Sequence, residues 1–383
     1  PQWDTIDMVK HDGHLYSSKP PLFPTLLAVP YWVIHRITGT TLGTHPYEIG
    51  RAILILVNVL PMALYFWLVG LLAERFTQNA WSRLFVLASA VFGTFLTTFA
   101  VVVNNHLPAA VSVAIALWAA VRIWFDGERC LRYFLLAGLF AAFAVADELP
   151  VLAFLAPLGL ALLWKDPRGT LMAFAPAVLV VAAGFFATNW IAHASLRPPY
   201  AHRSETNPAD NWYQYSYERN GKQYRSYWEN RQGIDMGEPS RAVYALHVLV
   251  GHHGIFSLTP IWLLSLTGLG MWLFRPGDPR LRQLAVFVAV VSLACLVFYI
   301  GVVGQGDRNY GGMTSGLRWM FWLIPMWLVV MLPAADLAAR WKGSRCLAVV
   351  FLAVSALSAS YPTWNPWTQP WFYDFMEYLG WLR

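Results

Sequence analysis

Lys19 stands directly before a double proline, where a polar segment meets an apolar one, in the stretch Gly13-His14-Leu15-Tyr16-Ser17-Ser18-Lys19-Pro20-Pro21-Leu22-Phe23. A helix N-terminus carries positive partial charge, so a lysine placed there is unfavourable unless an anion shares the site. Pro20, Pro21 and Pro24 remove backbone donors from that first turn. An anion such as a phosphate would then rely on the Lys19 ammonium and on the hydroxyls of Ser17 and Ser18. A lysine extending to lipid headgroups is the alternative. The same segment carries Asp4, Asp7 and Asp12 with His11 and His14. On a helix Asp4 and Asp7 would share a face. Two carboxylates there could deprotonate a hydroxyl or hold a divalent cation. A solvated linker also accounts for them, and the two histidines read as surface residues before metal ligands.

Three further constellations carry polar chemistry. Asn104-Asn105-His106-Leu107-Pro108 is a tight turn between two apolar runs. It reads either as a site at membrane depth or as an asparagine cap followed by proline. Asp147-Glu148-Leu149-Pro150 joins two short apolar runs, which would leave the two acids recessed below the surface. The Gly-rich segment 304–318 holds Asp307, Arg308, Asn309, Tyr310 and Arg318. Glycines there let backbone approach a ligand, and the arginines suit phosphate. It lacks the GK[ST] signature of a nucleotide P-loop. The long segment 193–254 interleaves tyrosines and tryptophans with arginines and ends at His252-His253-Gly254. Flat aromatic rings suit sugar faces; an aromatic lid on the membrane interface needs no ligand.

The elements that must position these residues are apolar. Of 383 residues, 57% are hydrophobic and 13% charged, with mean hydropathy +0.45. That charge fraction is about half the usual share of a soluble domain. The expected fold is an all-α polytopic membrane protein of about ten transmembrane helices, at 50–74, 84–103, 106–125, 132–147, 149–164, 170–192, 255–274, 283–303, 318–338 and 346–360. An upstream span would make eleven. Residues 21–37 are apolar but interrupted by Pro24 and Pro30, and are expected to form a helix lying on the interface. The chain thus divides into a first outer loop (1–49), spans (50–192), a large outer loop (193–254), spans (255–360) and an aromatic tail (361–383). Alternate short connectors hold thirteen Lys and Arg against one, Arg308, in the others. The basic set is therefore expected in the cytoplasm and the lead, long loop and tail outside. The pI near 9.2 reflects this loop bias, not nucleic-acid binding. Cys130, Cys295 and Cys346 give neither a disulfide framework nor a metal spacing.

On Gly13, Tyr16, Lys19, Pro20, Pro21 and Leu22, supported by the Gly-rich turn at Tyr310–Arg318, the chain resembles the GT-C superfamily of integral-membrane glycosyltransferases. The similar lineage includes the lipid A aminoarabinose transferase and the protein O-mannosyltransferases. The resemblance covers the whole chain in layout, with specificity concentrated in the first-loop motif. It implies a multi-pass protein of the bacterial inner membrane with its site facing the periplasm. The partners it implies are a polyprenyl-phosphate-linked sugar as donor and a glycan, lipid or protein acceptor. It places the donor phosphate on Lys19; Arg308 and Arg318 are the further phosphate contacts that residue type offers. Tyr16, Asn105, His106, Glu148, His253 and Tyr310 would contact substrate. The family's catalytic carboxylate lies just after a first span, upstream of Pro1, so Asp4, Asp7 and Asp12 are its nearest substitutes. Ser18 stands where relatives often have an acid. The rival classes are a transporter or flippase of lipid-linked glycans and an envelope glycan polymerase or ligase.

Overall fold

Hydrocarbon offers no partner for backbone N–H and C=O groups, so apolar runs of this length are expected to pair them internally, as helices. The computed structural model describes residues 5–203, 210–275, 277–362 and 364–382, and it is mostly helical. In chain order it begins with a hairpin, β1 (Met8–His11) and β2 (His14–Ser17). Next come α1 (Leu22–Thr38), α2 (Pro46–Phe76), α3 (Ala80–Val101) and α4 (His106–Trp124). Then follow α5 (Leu131–Asp147), α6 (Leu149–Lys165) and α7 (Pro167–His193). A second hairpin, β3 (Ser216–Arg219) and β4 (Lys222–Arg225), and α8 (Arg241–Leu249) occupy the long loop. The chain ends with α9 (Trp262–Phe274), α10 (Pro279–Val302), α11 (Arg318–Ala338), α12 (Lys342–Ser360) and α13 (Trp371–Tyr378).

Seven of these helices are long and apolar enough to cross a membrane: α2, α3, α4, α7, α10, α11 and α12. The other three expected spans also fold as helices, but shorter ones: α5, α6 and α9. The interior is built on α4 and α11, of which 83% and 78% is buried, against 22–33% for α2, α7, α10 and α12. Sequence explains the choice. The α4 run is apolar all round and rich in alanine, so it can be enclosed on every side, and Ala109, Ala110, Ala114, Ala116 and Ala119 are buried. Close helix crossings rest on glycine. A Cβ on Gly138 of α5 would come within 2.4 Å of the Phe174 carbonyl oxygen of α7, a distance no side chain tolerates.

Two features depart from the all-α expectation. The lead folds as a hairpin turned by Asp12-Gly13, both at positive φ (48° and 78°), as a two-residue Asp-Gly turn requires. Asp7 therefore precedes a strand and lies on no helix, and Asp4, the residue expected to share its face, lies outside the described residues. The second departure is β3–β4, whose strands pair Ser216 with Arg225 and Arg219 with Lys222. The expected interfacial helix is α1. It runs through Pro30 without a break and buries none of its residues fully.

Candidate functional site

Hairpin register builds the first wall. Met8 pairs with Ser17, which sets Asp7 opposite Ser18 and beside Lys19. The Ser18 N–H donates to the Asp7 carbonyl at 3.0 Å and its hydroxyl to Asp7 Oδ1 at 3.2 Å. Lys19 Nζ lies 3.5 Å from the same Oδ1. The chain then enters α1 with no side-chain cap and no acid in the first turn, so the positive helix end stays uncompensated by its own sequence. Phe23 and Pro24 of that turn, with Asp7, Tyr16 and Lys19, line a cavity of about 510 Å³.

The second wall comes from α3, α4, α5 and α11. The two adjacent asparagines divide the tasks that sequence left as alternatives. Asn104 is the cap: its Oδ1 accepts from the Leu107 N–H at 2.9 Å, and its Nδ2 donates to the Phe99 and Val102 carbonyls. Asn105 turns the other way, donating to Glu148 Oε1 at 2.6 Å and to the Asp147 carbonyl at 2.9 Å. His106 Nδ1 is in direct contact with Glu148 Oε1. Its Nε2 is 2.6 Å from an Arg318 NH1. A guanidinium only donates, so Nε2 accepts, and the imidazole proton sits on Nδ1 toward the carboxylate. Arg318 is fixed further by two hydrogen bonds to the Gly311 carbonyl, at 2.7 and 2.9 Å, and lies over the Trp367 ring at 5.1 Å. Glu148, His106 and Arg318 thus form one chain of contacts whose last member faces the same cavity as Lys19.

The electrostatics follow. The Lys19 side chain is 42% open, but what it opens to is the cavity. Burial lowers its pKa below the ordinary lysine value; Asp7 opposes that fall and Arg318 adds to it. Two cations and a helix N-terminus converging on one cavity favour an anion there, and Asp7 is the acid paired with Lys19 at its wall. Asp147 also lines the cavity, and its buried Oδ2 has no hydrogen-bond partner. It was paired with Glu148 in sequence but not singled out, because nothing in the dipeptide distinguishes which acid faces inward. Trp367 likewise reaches the cavity from what sequence suggests is only an interfacial tail.

The structure thus brings together Asp7, Tyr16, Lys19, Asn105, His106, Glu148 and Arg318. It leaves Asp12, Arg308, His253 and Tyr310 apart from them, and Asp4 lies outside the described residues. Asp12 is at the hairpin tip, 82% exposed, facing His11 at 3.6 Å. Arg308 spends its guanidinium on the Glu238 and Pro239 carbonyls, both at 2.7 Å, and is no part of the cavity wall. His253 and Tyr310 stack on each other, ring centroids 5.1 Å apart, inside a closed cluster with His247, His252, Tyr244 and Tyr373. Among the described residues no group of three His, Cys, Asp or Glu could hold a metal ion. The divalent-cation expectation rested on Asp4 with Asp7, and Asp7 faces an ammonium.

The long loop covers the hairpin. Lys10 pairs with Asp210 at 2.7 Å and exchanges backbone hydrogen bonds with Trp212. Trp212 is sandwiched between His11 and His202, at 4.3 and 4.0 Å, and Trp228 donates to the Ile6 carbonyl at 2.7 Å. The aromatic residues that sequence offers as a sugar surface thus serve, in part, as the seam between loop and hairpin. Set against protein-family models, curated proteins and solved structures, the chain finds no match.

Proposed function

We propose that this chain is a membrane glycosyltransferase of the GT-C type, taking a sugar from a polyprenyl-phosphate donor and passing it to a hydroxyl of an envelope glycan, lipid or protein. In this reading the polar cavity opens on the periplasmic side of a bacterial inner membrane, all ten apolar runs cross, and α1 lies on the interface. The observation that carries it is the convergence of Lys19 and Arg318, from opposite ends of the chain, on one cavity that also holds Asp7. The donor phosphate sits between the two cations, with its lipid tail leaving along α1. The acceptor oxygen bonds to the anomeric carbon while the bond from that carbon to the phosphate oxygen breaks. The electron pair leaves with polyprenyl phosphate, and the acceptor proton passes to a carboxylate, for which Asp7 is placed. Positioned cations stabilise the charge that grows on the leaving phosphate, and the base removes the proton as the bond forms.

The test is transfer of labelled sugar from a polyprenyl-phosphate donor by full-length protein in vesicles, with donor supplied to the outer face alone. Wild-type protein should form product, and Lys19→Ala and Lys19→Glu should both lose it. Wild-type transfer by both variants removes the assigned role. Net movement of donor across the bilayer without product replaces the enzyme with the transporter reading.

A further inference from the structure

At the opposite end of α4 from the polar cavity lies a second space of about 530 Å³, between the C-terminal halves of α4 and α6 and the start of α10. Its walls are apolar, formed by residues such as Leu117, Val121, Phe154, Leu158 and Phe287; only Arg282 and Gln283 are polar. A space of this size and lining suits a hydrocarbon chain. It also falls where the bundle is thin. The seventeen residues of α6 rise about 26 Å, less than the roughly 30 Å of a bilayer core. Lipid must adjust at the end of such a helix.

The rim adds charge. Arg282 lines the space and, among the described residues, its side chain makes no hydrogen bond or ion pair. Lys165, the last residue of α6, rests its ammonium 5.3 Å from the Trp124 ring centroid; Trp124 lines the same space and donates to Gln283 at 2.9 Å. The acids close by are engaged elsewhere: Asp278 with Arg280 at 2.7 Å, Asp166 with the Gly169 N–H at 2.9 Å. Two cations without an acid partner among the described residues therefore stand at the mouth of an apolar slot, on the end of the bundle whose connectors are rich in Lys and Arg.

We propose that this slot is a binding site for an anionic diacyl phospholipid, one acyl chain lying between α4, α6 and α10 and the phosphate held by Arg282 and Lys165. The lipid fills a space that an apolar wall leaves open, and its charge answers cations that the protein leaves unanswered. Basic residues at a membrane surface favour anionic headgroups, while the slot adds the chain-shaped contact that a general surface attraction lacks. The site is independent of the glycosyltransferase reading.

The experiment compares the whole protein in nanodiscs of phosphatidylglycerol and of phosphatidylcholine. Lipid retained after extraction into detergent is counted by native mass spectrometry. One phosphatidylglycerol per chain should be retained, at least tenfold over phosphatidylcholine. Arg282→Ala with Lys165→Ala should erase that preference, and Ala120→Phe, which fills the slot and leaves both charges, should erase retention. Equal retention of the two lipids by the wild-type protein overturns the proposal, as does an Ala120→Phe variant that still keeps its lipid. Recovery of a polyprenyl phosphate in place of a phospholipid overturns it too, since the slot would then hold the carrier lipid.

Discussion

Two polar clusters meet along the segment from Tyr310 to Arg318, and both hold histidine and tyrosine, yet they are built to opposite ends. Around Lys19 and Arg318 the polar atoms surround an open volume. Around His253 and Tyr310 the rings close on one another: His247 stacks on His252 at 4.0 Å, His253 on Tyr310 at 5.1 Å, and His253 Nε2 is spent on the Thr314 carbonyl at 3.2 Å. Both clusters are candidate substrate contacts by sequence. Access separates them, and access is a property of packing that residue type does not carry. Burial holds His252 and His253 neutral, with pKa values pushed down to about 2 and about 3. Lys19 also falls below its ordinary value, but with a cavity in front of it where an anion could restore the charge.

The largest expected effect is on the open cluster. Lys19→Ala, Arg318→Ala and Asp7→Asn should each lower sugar transfer by about a thousandfold or more, within what charge stabilisation and general-base catalysis each supply. An initial-rate assay with saturating acceptor reads it. Equal losses from His253→Gln, in folded protein, would erase the distinction between the clusters. Next is His106→Gln, which breaks the link from Glu148 to Arg318. It should lower kcat by about ten- to a hundredfold with little change in KM, because the arginine stays but loses its orientation.

Acid sharpens the contrast through stability. The native cluster refuses protons that the unfolded chain accepts below the ordinary histidine value of 6.5. Stability is therefore complete above that value and drains as pH falls toward the native values. At pH 5 the loss is on the order of 2 kcal/mol for each of the two histidines, measurable as a drop in Tm in micelles between pH 7 and pH 5. Lys19 works in the other direction. Phosphate affinity should fall as pH rises through its lowered pKa, and Lys19→Arg should carry that limb to higher pH, read by phosphate titration.

The smallest effects belong to two of the separated candidates, Arg308 and Asp12. Arg308→Ala should cost about 2 kcal/mol by stranding the Glu238 and Pro239 carbonyls, while the folded fraction keeps its transfer rate. Asp12→Asn should leave both rate and stability nearly unchanged, since asparagine also accepts the positive φ of that turn.

How much of this could be read beforehand depends on the range of the cause. Hydropathy is local, and each apolar run of the sequence holds a helix in the structure, although the run 255–274 breaks at Thr259 before α9. Lys19 was legible because its proline neighbours mark a helix start. The hairpin was less so: Asp12-Gly13 is a turn signal, but the flanking strands are only four residues each and carry no strong alternation. The partition between Asn104 and Asn105, or between Asp147 and Glu148, was out of reach. Neighbouring polar residues point apart by a fraction of a helical turn, and what lies in each direction is set by helices far away in sequence. Arg318 was read as a phosphate contact by type; its tie to His106 depends on α4 and α11 packing side by side.

Lys19 and Arg318 are about three hundred residues apart, and the seam that shelters the first of them is stitched from residues around 210. A ribosome therefore delivers the lysine about three hundred residues before its partner. Between the two the nascent chain carries one half of an anion grip, and until the residues around 210 are made it has no roof. A product that stops anywhere before α11 inherits the same incompleteness. The order of manufacture thus acts as a lock: the pair of cations exists only in a chain that has reached α11.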